Sequence, residues 1–186
     1  MTPEADRLRL EKLRLRREIR EEAVLPEDYR IRASGRITEQ VLALESYRKA
    51  GTVMAFVSLP EEPDTREIIR DALQAGKTVL LPRCVSPEKM VALPFTGWEH
   101  LENGWLGIRE PEMPAEDAEI PEPELILVPC VAASFDGKRL GHGAGYYDRF
   151  LAGRKAEKVC LCFRRLTREE IPAGPLDIRM DRVITD

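Results

Sequence analysis

Two spacings of apolar positions alternate along this chain. Residues 4–22 are charged and helix-favouring, with a thin apolar stripe at Leu8, Leu15 and Ile19. Pro26 suits the first turn of a second helix, in which Ala33, Ile37, Val41 and Leu44 follow at helical spacing and Gly51 marks the end. The spacing then shortens. Thr52–Ser58 is a β-branched and aromatic run that predicts a buried strand. Asp64 or Thr65 can cap a helix carrying Ile68, Ile69, Ala72 and Leu73, and Gly76 closes it. Thr78–Leu81 is the next strand, stopped by Pro82. This strand–helix–strand unit predicts a parallel sheet with a right-handed crossover.

The second half continues the alternation. Lys89–Leu93 predicts a short strand. Residues 94–123, rich in Pro, Glu and Gly, predict a long irregular connection, which in a compact domain often carries function. Leu125–Val128 is a third clear strand, Gly145–Leu151 starts a helix, and Lys158–Phe163 is a fourth strand. A turn with Pro172 and Pro175 precedes a last strand near Arg182–Thr185. The pattern predicts a single domain over residues 1–186. Its class is α/β: three layers, α/β/α, with a mostly parallel central sheet and extra N-terminal helices.

Composition narrows the function classes. The net charge of −4 gives no global reason to expect nucleic acid or an anionic membrane, so any basic site must be local. No run approaches the ~18 apolar residues of a membrane span. The basic N-terminus lacks the apolar stretch of a signal peptide, so a cytoplasmic location is expected; a monomer is expected as well. Cys84, Cys130, Cys160 and Cys162 lack the paired spacing of a zinc site and read as buried free thiols.

The chemistry concentrates in Pro129–Leu151. Gly141, Gly143 and Gly145 alternate between a strand and a helix start, where bare backbone N–H groups can approach an anion. The spacing is neither that of a Walker A loop nor the Rossmann fingerprint. Arg139 brings a planar fork that suits phosphate oxygens. Tyr146 and Tyr147 allow one ring to face a ligand while the other packs inward. Asp148 is placed to reach Mg²⁺, although a salt bridge to Arg149 or a helix-start carboxylate would account for it equally. The ligand this set implies is ATP.

The string Arg139-Leu140-Gly141-His142-Gly143-Ala144-Gly145-Tyr146-Tyr147-Asp148-Arg149 resembles the signature of the 5-formyltetrahydrofolate cyclo-ligase family. Other pieces of that pattern occur in order: Lys12-x-x-Leu15-Arg16, Glu62-x-x-Thr65, Leu81-Pro82-Arg83, Gly107-Ile108-Arg109-Glu110-Pro111 and Asp177-x-x-x-Asp181. The resemblance implies an ATP- and Mg²⁺-dependent cyclisation of 5-formyltetrahydrofolate to 5,10-methenyltetrahydrofolate, releasing ADP and phosphate. The formyl oxygen would attack the γ-phosphate, and the nitrogen at position 10 would then close the ring. The substrate supplies both nucleophiles, so the lack of a Ser-His-Asp or Cys-His set is no objection.

By the same resemblance, Lys12, Arg16, Arg139 and Gly141 to Tyr147 would bind ATP, with Arg139 and Tyr146 closest to the chemistry. Asp148 and Asp177 would hold Mg²⁺. Val57, Glu62 and Trp105, with Leu106 beside it, would contact the folate, together with His142, Gly143, Ala144, Gly145 and Tyr146. Read without the resemblance, Lys12 and Arg16 are a solvated helix face, Glu62 is a loop acid, and Asp177 is a turn carboxylate after Pro175. Ala144 departs from the family, which favours glycine or lysine there, and a positive φ at that position would be strained. Two other readings remain: a relative that binds nucleotide or folate without turnover, and a sugar-phosphate isomerase or CoA-transferase-like enzyme that needs no ATP.

Overall fold

The computed structural model describes residues 2–104, 107–115 and 117–186. Three helices open the chain: α1 (Pro3–Glu22), α2 (Glu27–Ala43) and α3 (Glu45–Lys49). Thr2 caps α1 by accepting from the Ala5 N–H at 3.3 Å, and Ile19, fully buried, anchors the otherwise charged helix to the core. The second helix ends earlier than the spacing predicts. Leu44 is extended (ψ 135), which separates α2 from the single turn of α3.

A six-stranded sheet follows, in the order β10-β9-β6-β1-β2-β3. Its strands are β1 (Thr52–Met54), β2 (Thr78–Cys84), β3 (Met90–Pro94), β6 (Leu125–Val128), β9 (Glu157–Leu161) and β10 (Arg182–Ile184). All neighbours pair in parallel except β2 with β3. β6 is buried at every position, as a strand covered on both faces requires. Each fully buried Leu in these strands, such as Leu80, Leu127 and Leu161, stabilises the fold by about 1.5–3 kcal/mol.

Pro82 does not stop β2. It lies inside the strand opposite Ala92, one step beyond Leu81 and Leu93. The Phe95 N–H donates to the Val79 carbonyl at 2.8 Å, which sets the ladder phase and makes the Pro82–Ala92 pair a non-hydrogen-bonded one. The missing N–H therefore faces β1, whose pairing with β2 has already ended at Leu80. That is an edge-like position, where proline is tolerated. β1 is correspondingly short: the chain leaves the ladder after Met54 and carries Phe56 to Glu62 towards the ends of the strands.

The connection expected to be irregular over residues 94–123 holds a second sheet. A 3-10 turn (Trp98–His100) leads into the hairpin β4 (Leu101–Asn103) and β5 (Arg109–Pro111). Arg83 ties it to β2 by donating to Glu102 at 3.0 Å and to the Pro111 carbonyl at 2.6 Å. Short strands and a half-polar pattern hid this hairpin from periodicity. A still shorter one, β7 (Ala132–Ala133) with β8 (Arg139–Leu140), precedes the glycine string.

The crossover from β1 to β2 contains α4 (Arg66–Gln74), and that from β6 to β9 contains α5 (Tyr146–Leu151). Asp64 does the capping at α4 by accepting from the Arg66 N–H at 2.9 Å, while the Thr65 hydroxyl turns inward to the Phe56 carbonyl. The two crossovers run in opposite directions along the sheet. Right-handed connections therefore put α4 and α5 on opposite faces, the three-layer arrangement. The strand order reverses between β1 and β6. In such sheets a crevice opens there, beyond the carboxyl ends of the strands.

Candidate active site

A cavity of about 1650 Å³ occupies that crevice. Ordinary small-molecule sites run to about 300–1,000 Å³, so this one has room for two ligands. The segment after β1 supplies Phe56, Val57 and Glu62; the glycine string supplies Gly141 to Asp148; α1 supplies Lys12 and Arg16; and the turn before β10 supplies Asp177. These are the distant pieces that the sequence separates by up to 165 positions.

One end of the cavity is a charge cluster. Lys12 Nζ contacts both carboxylate oxygens of Asp177, whose Oδ2 also accepts the Gly174 N–H. Arg139 is held on β8, with its side chain 4% exposed, and donates to Asp148 Oδ1 at 2.9 Å. The Ile178 N–H reaches the same oxygen at 3.1 Å, so the two aspartates belong to one cluster. Both bonds use Oδ1, which leaves Asp148 Oδ2 without a protein donor among the described residues. Arg16 Nε donates to the Gly141 carbonyl at 2.7 Å. Burial lowers the Arg16 pKa from its ordinary value and Arg139 adds to the effect, while Asp177 and Asp148 oppose it. Three cations thus meet two carboxylates, which leaves the cluster with one excess positive charge.

Asp148 pairs with Arg139 rather than with its neighbour Arg149, which holds the Ala144 and Glu88 carbonyls instead. Among the described residues, no three His, Cys, Asp or Glu side chains converge as a metal cage. Two buried polar atoms here lack protein partners: Arg139 Nε and the Tyr147 hydroxyl. Burial, aided by the Glu62 carboxylate, pushes the Tyr147 hydroxyl well above its ordinary value, so it stays protonated.

The loop conformation explains its glycines. Gly143 (φ 112) and Gly145 (φ 71) lie in the region that L side chains rarely adopt. Ala144 does not, because no residue other than glycine has a positive φ among the described residues. The departure at Ala144 therefore costs no strain. Gly141 is needed for space: a Cβ there would stand 2.4 Å from Arg139 Nη1.

The other end of the cavity is more apolar, with Phe56, Val57, Pro82, Met90 and the Tyr146 ring. The Tyr146 hydroxyl is engaged outside it, donating to the Ser86 carbonyl at 3.0 Å. Glu62 does not present an open carboxylate. Its side chain is 3% exposed; one oxygen accepts the Leu59 N–H at 2.9 Å, and the other meets His142 Nε2 at 2.9 Å. Trp105 and Leu106 lie outside the described residues. Sequence reasoning gave no role to Cys84, Ile108, Arg109 or Glu110, which also line the cavity. For Ile108, Arg109 and Glu110 the Gly107–Pro111 string is the signal, a motif inside a segment whose periodicity predicts an irregular connection.

Burial and the nearby Glu110 push the Cys84 thiol up to about 11. The thiolate is the reactive form. We therefore expect Cys84 to react slowly with a thiol reagent at neutral pH and faster as pH rises towards 11. Buried Cys130, Cys160 and Cys162 should stay silent until unfolding. Titration of free thiols before and after denaturant measures this; fast modification at neutral pH, or of several thiols in the native protein, would contradict it.

Comparison with known proteins points to one family. The model of the 5-formyltetrahydrofolate cyclo-ligase family matches residues 4–186. A 5-formyltetrahydrofolate cyclo-ligase of Mycolicibacterium smegmatis is 37% identical over 142 residues, covering 72% of this chain and 73% of that protein. The mouse 5-formyltetrahydrofolate cyclo-ligase is 28% identical over 178 residues, covering 86% and 85%. The solved structure of Aquifex aeolicus 5,10-methenyltetrahydrofolate synthetase superposes with a TM-score of 0.79 at 28% identity, covering 92% of this chain and 88% of that one.

Proposed function

The chain belongs to the 5-formyltetrahydrofolate cyclo-ligase family, and from that premise we propose that it closes 5-formyltetrahydrofolate to 5,10-methenyltetrahydrofolate at the expense of ATP, with Mg²⁺. The observation that carries this reading is one large cavity lined both by the Lys12, Arg16 and Arg139 cations and by apolar side chains with the Glu62–His142 pair. A polyphosphate suits the first and a pterin ring the second.

ATP phosphates lie against Lys12, Arg16 and Arg139, with the glycine-string backbone completing the cradle. Asp148 and Asp177 fit Mg²⁺ in one specific sense. Two hard carboxylates beside a phosphate site suit an ion that keeps its waters and takes its other ligands from phosphate. When bound, the ion would neutralise charge on the phosphates. The pterin lies between Val57, Phe56 and the Tyr146 ring. The formyl oxygen attacks the γ-phosphate and ADP leaves. The nitrogen at position 10 then attacks the phosphorylated formyl carbon, loses its proton, and phosphate departs. Holding the two ligands in reacting register is most of what this protein must do.

Asp148→Asn tests the cationic end. The amide keeps an oxygen for Arg139 and for the Ile178 N–H, so the hydrogen bonds can persist while the negative charge is lost. Turnover should fall about 10²-fold or more, the loss typical of misplaced reacting groups, and half-maximal activity should need more Mg²⁺. Binding of 5-formyltetrahydrofolate should be unchanged. A Mg²⁺ titration of methenyl formation measures it, and an unaltered titration would show that Asp148 does not face the ion.

A further inference from the structure

We infer that His142 is the base that takes the proton from the nitrogen at position 10 during ring closure, with the buried Glu62 carboxylate positioning it. The inference rests on the cyclisation reading above and adds a catalytic residue to it. His142 sits at the tip of the glycine string, 45% exposed on its side chain, at the cavity wall. Its Nε2 meets Glu62 Oε1 at 2.9 Å. An ionised carboxylate only accepts, so Nε2 carries the hydrogen, and in the neutral imidazole the lone pair then sits on Nδ1. Nδ1 makes no protein hydrogen bond among the described residues, which leaves the basic atom free for a ligand. Glu62 is itself pinned through Oε2 by the Leu59 N–H at 2.9 Å. This is the base-plus-orienting-carboxylate arrangement that fixes one tautomer.

Several other side chains near the cavity are poorly suited to the task. Asp148 and Asp177 are held by Arg139 and Lys12. The Cys84 thiol and the hydroxyls of Tyr146 and Tyr147 are pushed up and keep their protons. His100 lies on the exposed 3-10 turn, outside the cavity lining. The proton balance requires an acceptor. As the nitrogen at position 10 bonds to the formyl carbon it becomes cationic; its N–H electrons return to nitrogen, the proton passes to Nδ1, and the carbon–oxygen bond breaks as phosphate leaves. The exposed edge of His142 then releases the proton to water.

The charged groups facing His142 are Glu62, from the segment after β1, and Arg16, from α1, whose guanidinium holds Gly141 and lies beside Gly143. The test is rapid mixing of protein, ATP, Mg²⁺ and 5-formyltetrahydrofolate across a pH series, with ADP and methenyl product both measured. His142→Gln should slow methenyl formation by about 10²–10⁴-fold, the usual size of a general-base contribution. It should also release ADP in excess of product. Glu62→Gln should lose less. If His142→Gln is misfolded, His142→Ala with added imidazole replaces it, and restored turnover supports the assignment. A His142→Gln protein with wild-type rate and pH profile, or a His142→Ala protein that imidazole leaves inactive, would overturn it. If wild type itself makes no methenyl product with ATP, the parent reading has failed instead.

Discussion

Arg139→Met should lose about 10³-fold or more in turnover, in the range of arginines that stabilise phosphoryl transfer. It should also unfold more easily. The Arg139 side chain is 4% exposed and its partner Asp148 23% exposed, so the change leaves a largely buried carboxylate without its cation. Breaking such a pair costs about 3–5 kcal/mol, and the partial exposure of Asp148 puts the expectation near the lower end. Arg139→Lys separates the two effects. It keeps the charge beside Asp148 but loses the fork, so stability should recover more than turnover. Urea unfolding and methenyl formation measure the two quantities. An Arg139→Met protein within tenfold of wild-type turnover would remove Arg139 from the chemistry.

Gly141→Ala should damage the same group from the backbone side. The φ of Gly141 is not positive, so alanine meets no conformational objection there. The objection is spatial: the new Cβ would stand 2.4 Å from Arg139 Nη1. Neither partner can retreat freely. Asp148 holds the arginine at 2.9 Å, and Arg16 holds the Gly141 carbonyl at 2.7 Å. A guanidinium displaced by about an ångström from its working position costs on the order of 10²-fold. The two substitutions should therefore fail to add: Gly141→Ala on the Arg139→Met background should change turnover little. Full additivity would mean that Gly141 matters for a reason other than Arg139.

The fold was legible where apolar spacing was strong. Leu125–Val128 appears with the bounds its unbroken apolar run predicts, because a strand covered on both faces has no polar position to blur it. Local chemistry misled where tertiary context reversed it. Pro82 reads as a stop, yet it sits within β2 because β1 has withdrawn from the side its N–H would have faced. The β4–β5 hairpin is too short for periodicity to register and is fixed by Arg83 from a distant strand.

The site was legible as a set of residues but not as a set of pairs. Lys12, Arg16, Arg139, Asp148, Asp177, Glu62 and the glycine string all reach the one cavity. No spacing rule, however, could join Lys12 to Asp177 or Glu62 to His142, contacts that exist only once α1 meets the turn before β10 and the β1–α4 segment meets the glycine loop. Burial bears on one alternative: Glu62, a loop acid when read without the resemblance, is a buried carboxylate paired with His142.

The central claim is that the cationic and apolar ends of the cavity work on two ligands in one reaction. A single-turnover experiment tests it most directly. Protein in excess is mixed with 5-formyltetrahydrofolate, ATP and Mg²⁺, and the conjugated methenyl product is followed by its near-ultraviolet absorbance while ADP is counted. The account predicts one ADP for each methenyl group formed, and no product when ATP is replaced by a non-hydrolysable analogue. Methenyl product formed without ATP, or ATP and folate both bound with no product, would contradict it.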